Sequence, residues 1–303
     1  MRTITTQLTI ALVQQACNLQ PDQNLAQSIT EIELAAEQGA DLIVLPELHS
    51  HPYFCKSVNP EYFDLAEMIP GPTTQQLAKT AEKYNIVIVA SIFEKRAPGL
   101  YHNTAVVLDS DGSYAGLYRK MHIPEDPGYY EKYYFTVGDL GFKPIPTSVG
   151  KLGVLVCWDQ WFPEAARLMT LGGADLLIYP TAIGWEPTDS NDEKQRQLDS
   201  WITIQQSHAI ANGLHVVSCN RIGTETEGEI TIDFWGNSFI SGPQGEIQAR
   251  ADSVSPSLLF GEIDNIKTEQ QRKAWPFLRD RRVDAYKRLT SRYSDHINGP
   301  ESP

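Results

Sequence analysis

Two segments far apart in the chain repeat one pattern: Gly-Ala-Asp, then four apolar or aromatic residues, then proline. They are Gly39–Pro46 and Gly173–Pro180. Each pattern indicates the end of a helix followed by a strand that is buried on both faces. The repetition predicts two similar halves packed face to face, although two helix–strand junctions can also resemble each other by chance.

Helical and strand patterns alternate along most of the chain. Leu25, Ile29 and Ile32 recur at the helical period, for example, whereas Leu8, Ile10 and Leu12 alternate as in a strand. The predicted helices are 22–38, 73–84, 163–171, 194–212 and 265–273, and the predicted strands are 8–12, 42–45, 86–93, 101–108, 114–118, 152–156, 176–179, 214–218, 234–240, 246–250 and 257–263. Residues 124–146 are predicted to be ordered loop. The alternation predicts a layered α/β protein, with one domain over 1–303 and a frayed tail over about 288–303.

Charge and composition exclude several classes of protein. The chain has 38 acidic and 25 basic residues, a formal net charge of −13, which disfavours binding to nucleic acids or anionic membranes. No apolar run approaches the roughly 20 residues of a membrane helix, and the first residues do not resemble a secretory signal. The four cysteines form no CxxC pair, so neither a disulfide framework nor a structural zinc site is expected. We therefore expect a cytoplasmic protein with reduced thiols.

Three polar residues stand next to predicted strands, where side chains can reach a cleft. Glu47 follows the strand 42–45, Lys120 follows a hairpin strand, and Cys157 lies between an apolar strand and a helix. A thiol at such a turn is well placed for a nucleophile, because backbone N–H groups nearby can bind an oxyanion. Taken singly, each residue also has an ordinary explanation: a buried small side chain, a helix cap or a solvated lysine.

Histidines do not indicate a metal site. The spacing of His49 and His51 specifies no metal, and the chain contains no HExxH motif. We interpret these two residues and His122 as loop residues or as supports for the site.

Read together, the three segments resemble the nitrilase superfamily of carbon–nitrogen hydrolases over nearly the whole chain. The motifs occur in the order Leu-Pro-Glu47, Arg-Lys120-Met-His-Ile-Pro, and Cys157-Trp-Asp followed by Phe-Pro-Glu164. The resemblance implies a four-layer α-β-β-α sandwich with no metal and no cofactor. It also implies a homo-oligomer, either a dimer or a larger assembly of dimers. The basic segment 273–288 would then contact a second copy rather than nucleic acid.

The resemblance also implies roles for the three residues and for a fourth. Glu47 would be the general base, Cys157 the nucleophile, and Lys120 would stabilise the oxyanion with the backbone N–H of Trp158. Glu131 stands where many members have a second glutamate, which would orient Lys120 and the substrate. The alternative for Glu131 is a surface ion pair with Lys132.

Flanking segments resemble the N-carbamoylputrescine amidase branch of this superfamily; they are 120–124, 127–135, 157–164 and 275–282. That branch implies hydrolysis of N-carbamoylputrescine to putrescine, carbon dioxide and ammonia, in polyamine synthesis from agmatine. A substrate with a terminal ammonium calls for a carboxylate, for which we predict Glu186. Trp158, Tyr53 and Tyr130 are predicted as the wall around the methylenes. Glu186 could instead be a solvated loop acid, and the aromatic residues could belong to the core.

Other readings remain open. A carbamoyl hydrolase acting on N-carbamoyl-β-alanine or an N-carbamoyl amino acid would need an arginine, for which Arg167 and Arg221 are candidates. A catalytically idle interaction protein is disfavoured because Glu47, Lys120 and Cys157 are all present. Trp185, next to Glu186, replaces a smaller residue of the expected branch and could narrow the pocket.

Overall fold

A computed structural model of the chain describes residues 7–293. Its helices are α1 (Pro21–Glu37), α2 (Pro72–Tyr84), α3 (Glu131–Tyr134), α4 (Pro163–Leu171), α5 (Asn191–Asn212) and α6 (Asn265–Ala274). Its strands are β1 (Gln7–Gln14), β2 (Leu42–Val44), β3 (Val87–Ala97), β4 (Leu100–Leu108), β5 (Tyr114–Arg119), β6 (Ile145–Thr147), β7 (Gly150–Val154), β8 (Leu176–Thr181), β9 (Gly184–Trp185), β10 (His215–Asn220), β11 (Ile222–Glu227), β12 (Ile230–Trp235), β13 (Phe239–Ser241), β14 (Ile247–Arg250) and β15 (Ser257–Asp264).

The two large sheets have the same arrangement of parallel and antiparallel strands. The first has the strand order β15-β1-β2-β3-β4-β5, and the second has the order β6-β7-β8-β10-β13-β14. In each, three central strands run parallel to one another and the remaining strands pair antiparallel. β2 and β8, which carry the repeated Gly-Ala-Asp pattern, occupy corresponding places. The repeat therefore marks a structural duplication rather than a chance likeness.

Helices cover the outer face of each sheet. Ile43 and Ile88 of the first sheet pack with Leu25 of α1 and Leu77 of α2. The alternate residues of the same strands, such as Val44, face a second core that contains both sheets, α4 and α5. Alternation along each strand places apolar side chains on both faces of the sheet. The predicted α-β-β-α sandwich is confirmed.

The sequence prediction was wrong in three places. The strand predicted over 234–240 is two strands, because Gly236 and Asn237 both adopt positive φ and turn the chain between β12 and β13. The loop predicted over 124–146 contains α3 and β6. The hairpin of β11 and β12, which was not predicted, pairs with β9 in a small third sheet. These short elements are shaped by tertiary packing rather than by a clear local pattern.

The carboxyl-terminal part follows α6 along the surface. Two single 3-10 turns, Val283–Ala285 and Lys287–Thr290, lie beyond it, and Arg279 and Arg282 pair with the neighbouring Asp280 and Asp284. The predicted frayed tail falls largely outside the described residues. Within 7–293, no helix combines the length and the apolar character needed to cross a bilayer.

Candidate active site

Strand ends bring the predicted residues together. Glu47 lies in the turn after β2, and Lys120 directly follows β5. Lys120 Nζ donates to Glu47 Oε1 at 2.8 Å and to Glu131 Oε2 at 2.6 Å, and all three side chains are buried. Glu131, the first residue of α3, thus pairs with the buried Lys120 and not with the exposed Lys132. One lysine is thus held between two carboxylates.

Polar residues of the first sheet support Glu47. Asn103 on β4 donates from Nδ2 to Glu47 Oε1 at 2.6 Å, and Ser91 on β3 donates to Asn103 Oδ1 at 2.9 Å. Glu47 Oε2 is buried and has no hydrogen-bond partner among the described residues. Sequence analysis missed Asn103, which stands between His102 and Thr104 on β4, so no local pattern singles it out.

Cys157 occupies a strained turn. It begins a single 3-10 turn, Cys157–Trp161, with a positive φ of 43°, which residues with a Cβ rarely adopt. Asp159 holds this turn, because its Oδ2 accepts from the Val156 N–H at 2.9 Å and from the Tyr118 hydroxyl at 2.8 Å. The Cys157 thiol points towards the carbonyl oxygen of Ala182, at 3.8 Å.

Burial and the neighbouring Glu47 carboxylate keep the Cys157 thiol protonated. Burial raises the pKa of the Cys157 thiol well above its usual range, and the Glu47 carboxylate raises it further, while Lys120 acts in the opposite direction. Burial acts to lower the pKa of Lys120, but Glu131 and Glu47 outweigh it and hold that pKa well above its usual value. At neutral pH the site therefore holds a thiol and an ammonium.

Two carboxylates share this one cation. Burial raises the pKa of Glu131 to about 7, with Glu47 adding to the rise and Lys120 opposing it. Two buried carboxylates and one ammonium carry a net negative charge, so a proton is taken up most easily by one of the acids.

A cavity of about 670 Å³ opens beside Cys157. Aromatic side chains form much of its wall, namely Tyr129, Trp158, Trp161 and Trp235. Its lining includes five acidic residues: Asp126, Glu131, Glu186, Asp189 and Glu193. Arg196 is the one basic residue among the described lining residues, and its Nη2 pairs with Glu193 at 2.5 Å. Glu131 is buried, whereas the other four acids are at least partly exposed and form an acidic rim. The cavity therefore combines apolar walls with this acidic rim.

The predicted binding residues divide into two groups. Trp158 and Glu186 line the cavity, whereas Tyr53 and Tyr130 do not. Tyr53 is fully buried and donates its hydroxyl to Glu131 Oε1 at 2.6 Å, so it supports the site from behind. The backbone of Tyr130 binds the Cys55 carbonyl at the start of α3, and the preceding Tyr129 forms the wall instead.

Neither arginine suggested for a substrate carboxylate lies in the cavity. Arg167 donates to the carbonyl of Ala211, and Arg221 is fully buried outside the lining. Sequence analysis missed Arg196, which lies on the exposed side of α5 and carries no local signal.

Trp185 does not narrow this cavity, because its ring packs on Trp235 and its Nε1 donates to the Lys194 carbonyl.

The histidines have structural contacts. His49 Nδ1 lies 3.0 Å from Ser28 Oγ, and His122 Nδ1 lies 2.6 Å from Asp159 Oδ1 while its ring stacks on Phe162. Among residues 7–293, no group of three or more His, Cys, Asp or Glu side chains is arranged to hold a metal ion.

Comparison with known proteins identifies the family. The carbon–nitrogen hydrolase family model matches residues 9–273. The chain belongs to this family. A crystal structure of a carbon–nitrogen hydrolase from Helicobacter pylori is 50% identical, covers 95% of this chain and 100% of its own, and has a TM-score of 0.92. The buried Glu47, Lys120 and Cys157 are therefore part of a carbon–nitrogen hydrolase fold.

Two relatives with different names have nearly equal similarity. A citrullinase from Francisella tularensis is 45% identical, covering 94% of this chain and 98% of its own length. An N-carbamoylputrescine amidase from Solanum lycopersicum is 44% identical, covering 93% and 94%. Both names describe hydrolysis of a ureido group, and they differ in what the ureido group is attached to.

Proposed function

We propose that this carbon–nitrogen hydrolase converts N-carbamoylputrescine to putrescine, carbon dioxide and ammonia. The observation that carries the proposal is the acidic rim of the cavity, whose single described arginine is already paired with Glu193. The substrate has an ammonium at the end opposite its ureido group. An acidic rim suits that ammonium, and the aromatic wall suits the methylenes between the two ends.

The reaction begins with transfer of the Cys157 proton. Glu47 takes this proton on its unpaired Oε2 as the sulfur attacks the ureido carbon. Lys120 uses two of its three N–H donors on Glu47 and Glu131, so the third is left for the developing oxyanion. The backbone N–H of Trp158 is the second donor. General-base removal is required because the buried thiol is not ionised at rest.

The tetrahedral adduct then collapses as the C–N bond breaks. The departing nitrogen receives the proton held by Glu47, which leaves an S-carbamoyl group, a thiocarbamate, on Cys157. Glu47 next takes a proton from water, whose oxygen attacks the same carbon, and the sulfur leaves and recovers that proton. The carbamic acid released loses carbon dioxide and yields the second amine. Each proton transfer to or from Cys157 thus passes through one carboxylate.

Citrulline is the second candidate substrate. It carries the same ureido group, but the carbon with the ammonium also bears a carboxylate. Arg196 on the cavity rim could bind that carboxylate if it left Glu193. Because the Arg196–Glu193 pair is exposed, opening it costs little, and the excess of acidic over basic lining residues is what favours the decarboxylated substrate.

The test is a comparison of ammonia release from N-carbamoylputrescine, citrulline and N-carbamoyl-β-alanine. We expect N-carbamoylputrescine to have the highest kcat/KM. Glu186→Gln should raise its KM by about tenfold, because a charge-assisted contact is lost. Glu61→Gln, an exposed acid outside the cavity, is the control and should leave KM unchanged. Preference for citrulline would overturn the proposed substrate, and an unchanged KM in Glu186→Gln would remove Glu186 from the ammonium site.

The raised pKa of Glu131 leads us to predict that the activity depends on pH. Its pKa is raised to about 7 by burial, so it becomes protonated as the pH falls through that value and then loses its ion pair with Lys120. We expect kcat/KM to fall on the acidic side of pH 7. Glu131→Gln should be less active, by about 10²-fold, and should lack this acidic limb. Glu61→Gln, at the exposed acid outside the cavity, is again the control; an acidic limb retained in Glu131→Gln would assign the limb to another group.

A further inference from the structure

A buried ion pair lies behind the two carboxylates of the site. Arg221 follows β10, Glu225 lies on β11, and Arg221 Nη1 is 2.9 Å from Glu225 Oε1. The Arg221 side chain is 0% exposed and that of Glu225 is 9% exposed. A buried pair of this kind is stabilised by hydrogen bonds to its remaining donors and acceptors. Arg221 Nε has no partner among the described residues, but the other partners of the pair lie on the segments that carry the site.

Arg221 binds the turn that carries Glu47. Its Nη2 donates to the carbonyl oxygens of Glu47 at 2.7 Å and Leu48 at 3.0 Å, and its Nη1 donates to that of His51 at 3.2 Å. Leu48 has a positive φ of 50°, a conformation that a residue with a Cβ holds only when its surroundings enforce it. A planar guanidinium can bind these carbonyls together, which an ammonium cannot do with the same geometry.

Glu225 binds the segment that orients Glu131. Its Oε2 accepts from the Tyr53 N–H at 2.7 Å and from Lys56 Nζ at 2.8 Å, and Lys56 Nζ also donates to the Tyr53 carbonyl at 2.7 Å. The backbone of Tyr53 is therefore held on both sides. Its hydroxyl donates to Glu131 Oε1 at 2.6 Å. The position of Glu131 thus depends on Glu225 through Tyr53.

We propose that Arg221 and Glu225 form one positioning unit that sets both carboxylates flanking Lys120. Neither residue lines the cavity, and their hydrogen bonds go to the turn of Glu47 and to Tyr53, so the unit acts on the chemistry through Glu47 and Glu131. The inference rests on the roles proposed above for those two carboxylates. Displacement of a reacting group by about 1 Å can cost up to 10²-fold in rate, so the effect belongs in kcat.

The test compares Arg221→Lys, Glu225→Gln and the double variant with the wild-type enzyme. We expect each single variant to lower kcat by about 10- to 100-fold with KM within about threefold. The kcat of the double variant should be no lower than that of the less active single variant, because both changes disable one unit. Arg272→Lys is the matched control: Arg272 Nε also donates to a backbone carbonyl, that of Gly213 at 2.9 Å, away from the site. Arg272→Lys should keep the wild-type kcat even if its Tm falls by as much as that of Arg221→Lys.

A second readout needs no substrate. The rate at which iodoacetamide alkylates Cys157, followed by mass spectrometry of the labelled peptide, should fall in parallel with kcat because Glu47 assists removal of the thiol proton. If N-carbamoylputrescine is the wrong substrate, this rate alone decides the positioning role. Should Arg221→Lys fail to fold, Glu225→Gln decides it. Wild-type kcat and alkylation in a folded variant, a loss confined to KM, or additive losses in the double variant would overturn the proposal.

Discussion

Cys157→Ser is expected to lower turnover of the ureido substrate by at least about 10³-fold while the protein still folds and binds it. The resting thiol is not ionised, because burial and Glu47 raise its pKa, so its proton must be removed during attack. A serine hydroxyl holds its proton more tightly and forms a poorer nucleophile in the same place. Ammonia release under single-turnover conditions measures the loss, and calorimetric titration measures retained binding.

The duplication supplies a matched control for this variant. Cys17 lies three residues beyond the end of β1, just as Cys157 lies three residues beyond the end of β7, the corresponding strand. Its thiol donates to the His49 carbonyl at 3.2 Å and does not line the cavity. Cys17→Ser should therefore retain activity. Comparable losses in the two variants would contradict the assignment of Cys157 as the nucleophile.

Lys120→Met is expected to abolish activity and also to destabilise the fold. It removes the cation that the oxyanion requires, so turnover should fall by at least about 10³-fold. It also leaves Glu47 and Glu131 buried without their counter-ion, which should lower the free energy of unfolding by about 3–5 kcal/mol near pH 8. Chemical denaturation followed by circular dichroism measures the second effect.

The stability loss in Lys120→Met should depend on pH in a stated direction. The pKa of Glu131 is raised to about 7 by burial even with Lys120 present, and loss of the lysine raises it further. An acid whose pKa is raised on folding binds more protons in the folded state, so stability is retained below about pH 4.5 and falls as the pH rises through 7 and beyond. The variant should therefore be closest to wild type in acid.

Two further variants test this explanation. Adding Glu131→Gln to Lys120→Met removes one uncompensated carboxylate and should restore part of the stability without restoring activity. Lys83→Met removes an exposed ion pair with Glu33 and should change neither property. A Lys120→Met loss that does not vary with pH would show that packing, rather than unpaired charge, causes the destabilisation.

Much of the sandwich could be predicted because its patterns are local. α4 begins and ends at the predicted residues, 163 and 171, since Pro163 opens it and Gly172 closes it. The repeat at Gly39 and Gly173 predicted two related halves, which the sheets confirm. Glu47, Lys120 and Cys157 could be singled out because each stands beside an apolar strand, and three motifs in order are specific to one family.

The side chains that contact these three residues and line the cavity could not be predicted from the sequence in the same way. Tyr53 was predicted as a wall of the pocket but lies behind Glu131, and Tyr129 takes the place predicted for Tyr130. Both segments are loops without a repeating pattern, so a shift of one residue changes which side chain faces the cavity. Arg196 and Glu193 lie three positions apart on the solvent side of α5, where they look like any solvated pair.

Apolar periodicity, which acts over a few neighbouring residues, determined the order of the elements and a layered α/β protein. The short motifs singled out the three residues at the strand ends, and the family resemblance they carry implied the α-β-β-α class. Folding decided which acids surround the cavity, and it decided that Arg221 and Glu225 reach Glu47 and Tyr53. These contacts join residues more than 160 positions apart in the chain. They depend on how the two sheets pack, and no local pattern encodes that distance.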